Sequence, residues 1–246
     1  MRYFLEVAYK GTNYSGFQSQ KNANTIQAEI EKAFKILLKK ELELTGSSRT
    51  DAGVHAFQNY FHFDIEKELS PQLLYNLNAI LPENISANKL IKMKEDDHCR
   101  FDAISREYKY YIYKKKNPFL TDRAFYFPYT LDIDLMQNAA SIIKEYADFT
   151  SFSKKNTQVK SFVCDIKESD WLIQDDCLVY HVKANRFLRG MVRALTATML
   201  KLGRGKINIE AFRKIIESRD CTLANFAVPA HGLFLVEVCF SDNYFN

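Results

Sequence analysis

The segment between Gly46 and Ala56 holds the most reactive combination of side chains in the sequence. Its small residues, Gly53 among them, allow the backbone to turn tightly and to approach a ligand closely. Arg49 and Asp51 are two residues apart, so in an extended segment both side chains point to the same side. A carboxylate at this place can attack or take a proton, and a guanidinium can bind phosphate or hold a carboxylate with two hydrogen bonds.

Three roles for Asp51 stay open when the residues are considered alone. It can act as a nucleophile or base, cap a helix, or stabilise a turn, and aspartate is common in turns for local hydrogen-bonding reasons. A metal site with His55 is a further interpretation, but the sequence offers no third cluster of ligands, and lone histidines are usually structural. We therefore expect no metal at this segment.

Regular elements on both sides of the segment are expected to hold it in place. Apolar residues recur at helical spacing over residues 26–38, and Asn24 with Gln27 three residues later predicts the cap of that helix. Residues 57–65 alternate with the period of a half-buried strand, with the phenylalanines on the inner face. The reactive segment is thus predicted to be a loop between a helix and a strand.

The rest of the chain predicts a mixture of strands and helices. Further strands are predicted at residues 2–10, 106–115, 161–167, 177–184 and 233–240, and further helices from Ser70-Pro71, after Asp132 or Asp134, over residues 189–202, and from Asn208. This order, repeated loosely in two halves, predicts an α+β fold with a mixed, largely antiparallel sheet flanked by helices, built from two ferredoxin-like or RRM-like halves. Residues 1–105 would carry the aspartate loop and residues 106–246 an aromatic strand and a basic segment, and the halves are expected to share one sheet.

Length and composition limit the class of protein. The chain has 246 residues, of which 47% are apolar, enough for one large domain or two smaller ones. No apolar run reaches the roughly eighteen residues of a membrane span, and Glu6 interrupts the short apolar stretch at the start, unlike a signal peptide. The five cysteines never form a Cys-x-x-Cys pair, which argues against a disulfide framework or a zinc site and fits a reducing cytoplasm.

Basic residues are concentrated in one part of the chain, although the net charge is only +4. Residues 177–209 contain no Asp or Glu. Seven basic residues lie there: Lys183, Arg186, Arg189, Arg193, Lys201, Arg204 and Lys206. Such a segment predicts a phosphate-binding surface, since much of the affinity for RNA comes from neutralising its backbone. An ordinary solvated face is the alternative.

Six blocks of the sequence resemble, in order and at the same spacing, the TruA family of tRNA pseudouridine synthases. The most specific block is the octet Arg-Thr-Asp-Ala-Gly-Val-His-Ala at residues 49–56. The other blocks lie at residues 11–20, 106–110, 148–152, 187–193 and 227–233 and correspond to a first glycine-containing loop, a central aromatic strand, two later blocks and a C-terminal block. The resemblance spans the whole chain.

The resemblance implies an isomerase that converts uridine to pseudouridine at positions 38, 39 and 40 of the tRNA anticodon arm. It implies no cofactor, because the uracil moves from N1 to C5 attachment on the ribose C1′ without a redox step. Asp51 would either add to C1′ or remove the C2′ proton. Arg193 would hold this carboxylate charged, and Tyr108 would be the active-site tyrosine that stacks on the displaced base and assists proton transfer at C5.

The resemblance also suggests partners. RNA contacts are expected from Arg49, Lys183, Arg186, Arg189 and Arg204, with the stem and loop recognised mainly by shape and backbone. A homodimer is expected, and no membrane partner. Two other functions stay open: the same chemistry on ribosomal RNA, and a non-catalytic RNA-binding module with the same fold.

Overall fold

The structure, a computed structural model, describes residues 1–155 and 159–245. The chain divides into two compact units, one formed by Met1–Ile104 with Phe234–Asn246 and the other by Ser105–Leu233. In chain order the elements are β1 (Arg2–Tyr9), α1 (Ile26–Leu38), β2 (Thr45–Gly46), β3 (His55–Asp64), α2 (Leu73–Ile80), β4 (Ile85–Met93), β5 (Ser105–Tyr113), β6 (Phe125–Tyr126), α3 (Ile133–Ile143), β7 (Ile166–Gln174), β8 (Cys177–Ala184), α4 (Met191–Gly203), α5 (Ile209–Glu217) and β9 (Leu233–Cys239). The division predicted at residue 105 and the shared sheet stay predictions.

The first unit is built on the strand order β4-β1-β3-β9, with β2 added to β3. β1 pairs antiparallel with both β3 and β4, whereas β9 runs parallel to β3 from the register His55↔Phe234. β4 was not predicted, because polar residues at Asn88, Lys89 and Lys92 interrupt its apolar pattern. This order puts β3, the strand that begins immediately after the reactive segment, in the interior of the sheet.

β3 is buried on both faces, so the prediction of a half-buried strand was wrong. Phe61 and Phe63 face one side as predicted, but Tyr60 and His62 on the other side are only 2% and 5% exposed. Aromatic side chains of the C-terminal segment cover that second face, and the ring of Phe240 meets Tyr60 edge-on at 5.4 Å. The periodicity of β3 alone cannot show that side chains from the C-terminal end of the chain pack on its second face.

α1 covers the predicted residues 26–38, but its cap and the start of α2 differ from the predictions. Thr25, not Asn24, caps α1, and its hydroxyl accepts a hydrogen bond from the Ala28 amide at 3.3 Å. The Asn24 carbonyl instead accepts a hydrogen bond from the Ser15 amide at 2.8 Å, which ties it to the first loop. α2 begins after the predicted Ser70-Pro71 start, because residues 71 and 72 form a turn before the first helical residue.

The second unit contains the antiparallel set β5-β8-β7, with β6 parallel to β5. α4 is its central helix and is buried along almost its whole length. The Trp171 indole of β7 donates a hydrogen bond to the Met199 sulfur of α4 at 3.4 Å, which fixes the helix on the sheet. α3 packs beside α4, where Gly203 leaves room for the Met136 side chain.

β7 occupies a different position from the one predicted. The sequence pattern placed a strand at residues 161–167, but the strand runs from Ile166 to Gln174. A tight hairpin turn at Asp175 and Asp176, with φ of 49° and 60°, joins it directly to β8. Both turn residues tolerate this left-handed backbone, which is the conformation that a two-residue hairpin of this hand requires.

Both units combine mostly antiparallel strands with packed helices, which confirms the predicted α+β class. Within residues 1–155 and 159–245, no helix is both long enough and apolar enough to cross a membrane.

Candidate active site

Asp51 lies in a tight turn that connects β2 to β3. The Val54 amide donates a hydrogen bond to the Asp51 carbonyl at 3.2 Å, and Gly53 has a φ of 79°, a left-handed conformation that favours glycine. The Asp51 side chain is half-buried, between the exposed Arg49 and Ala52. The backbone of the turn is thus fixed, while the carboxylate of Asp51 stays accessible to a ligand.

The first loop of the chain and the end of β1 both hold Thr50, the residue before Asp51. The Phe17 amide donates to the Thr50 carbonyl at 3.1 Å, and the hydroxyls of Tyr9 and Thr50 are 2.8 Å apart. Gly16 has a φ of +112°, and a Cβ at this position would lie 3.1 Å from the Thr50 carbonyl oxygen. Glycine is therefore required by both the backbone conformation and the close approach of the two loops.

His55, at the end of the turn, has a structural role. The Gly11 amide donates a hydrogen bond to His55 Nδ1 at 3.1 Å, a contact that needs an unprotonated Nδ1. The imidazole is buried and stacks on Phe234 with 4.5 Å between ring centroids. A side chain on Gly11 would collide with the Val54 carbonyl. The residues described hold no group of three or more His, Cys, Asp or Glu side chains placed to bind a metal.

Asn59 supports the turn through hydrogen bonds from β3, and this role was not predicted from the sequence. Its side chain is completely buried in β3 and donates hydrogen bonds to the Ser48 carbonyl at 2.8 Å and to the Tyr9 hydroxyl at 3.2 Å. Asparagine is depleted from strands, so its occurrence in the middle of an aromatic strand was an available signal of a special role. Asn59 and Tyr9 together link β3, the end of β1 and the Asp51 turn.

Phe57 is the exposed aromatic residue nearest to the turn on β3. The sequence pattern placed it on the inner face, but its side chain is 53% exposed. It stacks on Phe234 with 4.9 Å between centroids, and Phe234 in turn stacks on His55. A ring held in this way is suited to contact a planar ligand group.

Tyr108 and Tyr110 lie on β5 in the second unit and differ in their surroundings. Tyr108 is 9% exposed and meets the ring of Phe187 edge-on at 5.1 Å. Tyr110 is fully buried, donates a hydrogen bond to the Pro229 carbonyl at 2.7 Å, and has its pKa raised by burial. Tyr110 is therefore a packing residue, whereas Tyr108 lies next to the aromatic ring that precedes α4.

Arg193, in the first turn of α4, is half-buried and binds the segment before β9. Its Nε and Nη2 donate hydrogen bonds to the Val228 carbonyl at 3.0 and 2.6 Å. Together with Tyr110, it fixes two successive carbonyls, at Val228 and Pro229. This contact uses two of the five N–H donors of a guanidinium. The predicted pairing of Arg193 with Asp51 stays a prediction.

The basic residues expected to contact RNA have different surroundings. Arg49, Arg189 and Arg204 are exposed, and Arg186 is half-buried. Lys183 has a side-chain exposure of 24% and lies 4.0 Å from a carboxylate oxygen of Glu107, so part of its charge is already compensated. Lys183 is accordingly the weakest of the predicted phosphate contacts.

Comparisons with known proteins show which family the chain resembles. The sequence matches the family described as tRNA pseudouridine synthase over residues 6–102 and 146–241, which include Asp51 and Arg193. It is 42% identical over 246 residues to tRNA pseudouridine synthase A of Parabacteroides distasonis, covering 99% of this chain and 98% of the relative. The protein of that name from Azobacteroides pseudotrichonymphae is 45% identical, with 96% of each chain covered, and that of Staphylococcus aureus is 37% identical, with 99% of this chain and 92% of the relative covered.

Proposed function

Because the chain belongs to the tRNA pseudouridine synthase family, we propose that it converts uridine to pseudouridine in tRNA, with Asp51 as the essential carboxylate. The observation that carries the proposal is the near full-length similarity to relatives named tRNA pseudouridine synthase A. The fixed turn around Asp51 adds support, because a reacting carboxylate must be held in place without being enclosed.

The reaction breaks the bond from ribose C1′ to uracil N1 and forms the bond from C1′ to C5. The C5 proton leaves and N1 gains a proton, so the product is an isomer of the substrate and no other reactant is consumed. Asp51 takes part by adding to C1′ or by removing the C2′ proton, and both routes need the carboxylate in its ionised form. The uracil must stay in the site between the two steps so that it can rotate and reattach.

Arg193 and Tyr108 are the proposed partners of Asp51. Arg193 is assigned to stabilise the carboxylate, since arginine is suited to bidentate pairing and its contact with Val228 orients the guanidinium. Tyr108 is assigned to stack on the displaced base. A few kcal/mol are needed to take a base out of a helix, and stacking on an aromatic ring returns about 1–3 kcal/mol.

The proposed substrate site is the anticodon arm of tRNA at positions 38, 39 and 40, bound by a homodimer in the cytoplasm. Arg49, Arg186, Arg189 and Arg204 are the proposed phosphate contacts, with a smaller part for Lys183. Recognition through backbone and shape would allow the enzyme to reach neighbouring positions. Light scattering of the protein with and without tRNA tests the dimer.

Tritium release from uridine labelled at C5 tests the proposal most directly. The substrates are tRNA transcripts with uridine at only one of the three positions, and the enzymes are wild type, Asp51→Asn and Asp176→Asn. Asp176 is a matched control, because it is an exposed turn residue with φ of 60°, a conformation that asparagine also tolerates. We expect release by wild type and Asp176→Asn, but none by Asp51→Asn although it binds tRNA.

Two results would contradict the proposal. Comparable release by Asp51→Asn would remove Asp51 from the mechanism. Absence of release from every tRNA by the wild-type enzyme would exclude tRNA as substrate. Ribosomal RNA transcripts would then be tested in the same assay to distinguish an altered target from plain RNA binding.

A further inference from the structure

A row of aromatic rings that ends at an arginine lies in the second unit, outside the residues assigned to catalysis. Phe125, Phe127 and Tyr129 are spaced two residues apart, so that their side chains lie on one side of the segment. Their centroids are 5.4 Å apart between Phe125 and Phe127, and 5.0 Å apart between Phe127 and Tyr129. Arg204, the residue after α4, places its guanidinium carbon 3.9 Å from the centroid of Tyr129. We refer to these four residues as the aromatic row.

The aromatic row is separate from the hydrophobic core. Tyr126, which alternates with its members, packs on Tyr113 with 5.3 Å between centroids, and Tyr113 belongs to a buried cluster on that side. Tyr129 is 48% exposed and Arg204 is exposed as well, and Tyr126 is 43% exposed despite its contact with Tyr113. Burial of apolar area therefore does not account for the exposed end of the row.

The surroundings of the aromatic row are strongly basic. Residues 114–130 and 201–206 contain one acidic residue, Asp122, and Asp132 adds an exposed second one, because its amide donates a hydrogen bond to the carbonyl of Gly203 at 2.8 Å. They contain seven exposed basic residues: Lys114, Lys115, Lys116, Arg123, Lys201, Arg204 and Lys206. The Phe127 amide donates to the Tyr113 carbonyl at 2.9 Å, which places the start of the lysine run beside the rings. Flat rings and positive charge are thus combined on one surface.

We propose that the aromatic row is a second RNA-binding site, which stacks unpaired nucleotides of the substrate on Tyr129 and on the guanidinium of Arg204. Bases of single-stranded RNA stack on aromatic side chains and on arginine planes, while neighbouring cations neutralise the phosphates. Because the guanidinium of Arg204 is already held over a ring, it loses little further conformational freedom when a base binds. The inference takes RNA as the ligand class from the proposed function but does not require turnover.

The position of the aromatic row separates it from the reacting base. Arg204 follows Arg193 by eleven residues along α4, which corresponds to about 16 Å at 1.5 Å per helical residue. A base on the aromatic row therefore cannot be the base that reacts next to Arg193. The site binds other unpaired nucleotides of the same RNA and contributes to substrate affinity without taking part in the reaction.

Two structural explanations compete with this proposal. Arg204 is at the C-terminus of α4, where a positive charge favourably meets the helix dipole. The exposed rings could also form an interface between two copies of the chain. Substitutions that remove the ring or the planar guanidinium separately, together with light scattering of the subunit mass, distinguish these explanations from RNA binding.

The first experiment measures binding of a fluorescein-labelled, unstructured 12-nucleotide RNA by fluorescence anisotropy. We expect Tyr129→Ala to weaken binding about fivefold or more, the effect of losing one stacked base, and Tyr129→Phe to stay within about twofold of wild type. Arg204→Lys, which keeps the charge but not the planar group, should also weaken binding. Lys115→Gln should instead reduce the slope of the logarithm of RNA affinity against the logarithm of salt concentration by about one.

The second experiment measures tritium release from tRNA by the same variants. Tyr129→Ala should raise KM at least about fivefold with kcat within twofold, since the ring does not touch the reacting base. Wild-type binding of the 12-nucleotide RNA by both Tyr129→Ala and Arg204→Lys would overturn the proposal. A changed subunit mass in light scattering with unchanged RNA affinity would overturn it in favour of a subunit interface.

Two controls keep the result interpretable. Circular dichroism and thermal unfolding show whether each variant is folded, and Arg204→Lys, at an exposed position, carries the test if Tyr129→Ala does not fold. Failure of the wild-type enzyme to release tritium from tRNA would refute the proposed tRNA substrate, whereas the anisotropy results would still decide whether the aromatic row binds RNA.

Discussion

Replacement of Asn59 by alanine should impair catalysis although Asn59 lies beneath the reactive turn rather than at its surface. The side chain donates hydrogen bonds to the Ser48 carbonyl at 2.8 Å and the Tyr9 hydroxyl at 3.2 Å, and it is completely buried. Leaving a buried carbonyl without this donor costs about 1–3 kcal/mol. For a chain of this size, that corresponds to a decrease of roughly 2–12 °C in the unfolding temperature.

The effect on rate should exceed the effect on folding. Ser48 is three residues before Asp51, so loss of its anchor frees the turn to move, and a misplacement of about 1 Å can reduce a rate on the order of 100-fold. We expect single-turnover tritium release by Asn59→Ala to fall about 10- to 100-fold at 25 °C, well below its unfolding temperature. Thermal unfolding followed by circular dichroism gives the stability of the same preparation.

Ser169→Ala is the matched control for Asn59→Ala. Ser169 is equally buried and shares a hydrogen bond of 3.0 Å with the Tyr180 hydroxyl, but it lies in the second unit, far in sequence from the turn. It should lower the unfolding temperature and leave the rate within about twofold, as expected for a purely structural contact. Equal rates for the two variants, at similar losses of stability, would refute the reasoning that Asn59 positions Asp51.

Three other perturbations test the structure at different places. Gly16→Ala would combine a φ of +112° with a Cβ 3.1 Å from the Thr50 carbonyl, so urea unfolding should show a loss of about 1–3 kcal/mol; unchanged stability would show that this loop adapts freely. Burial, and then the nearby charge of His98, lowers the pKa of His62 from 6.5 to about 4. The unfolded state then binds more protons, so the unfolding free energy should fall by about 1–3 kcal/mol as the pH decreases from 6.5 to 4. His62→Gln should flatten this part of a urea–pH series, and an unaltered slope would exclude His62 as its source. Arg193→Gln removes the charge but keeps an amide donor for Val228, so kcat for tritium release should fall at least about tenfold with a smaller change in KM, and Arg193→Lys should recover part of the rate. Equal rates for the two Arg193 variants would show that the charge is not what the site needs.

The sequence predicted local structure well where the cause is local. α3 starts after Asp132, one of the two predicted starts, and α5 starts after Asn208 as predicted; each of these residues caps its helix by binding an amide three residues away. The same approach failed at β3, where Phe57 points outward and Tyr60 is covered by the C-terminal segment. The burial of β3 depends on contacts between distant parts of the chain, and these cannot be predicted from the periodicity of its ten residues.

The position of the candidate site was predictable from the sequence, but the residues that support it were not. The residues alone left several roles open for Asp51, and only the resemblance of the octet to a known family pointed to catalysis. Asn59 and Tyr9 act through hydrogen bonds to the Ser48 carbonyl and the Thr50 hydroxyl, and sequence does not display such contacts. The hydrogen bonds from Arg193 to the Val228 carbonyl were likewise not predicted, and its pairing with a carboxylate stays a prediction. Side chains that bind backbone carry little signal in a single sequence, because any nearby carbonyl can be their partner.

In both units, side chains hold an irregular segment by binding its backbone carbonyls. Neither the Asp51 turn nor the segment at residues 228–229 belongs to a helix or strand, so side chains must satisfy backbone groups that regular structure would otherwise pair. Asn59 does this for Ser48, and Tyr110 and Arg193 do it for Pro229 and Val228. In the first unit, holding the turn through its backbone leaves the Asp51 side chain available for a ligand. Residues that bind these carbonyls should therefore behave in rate measurements like catalytic residues, even where they never touch the substrate.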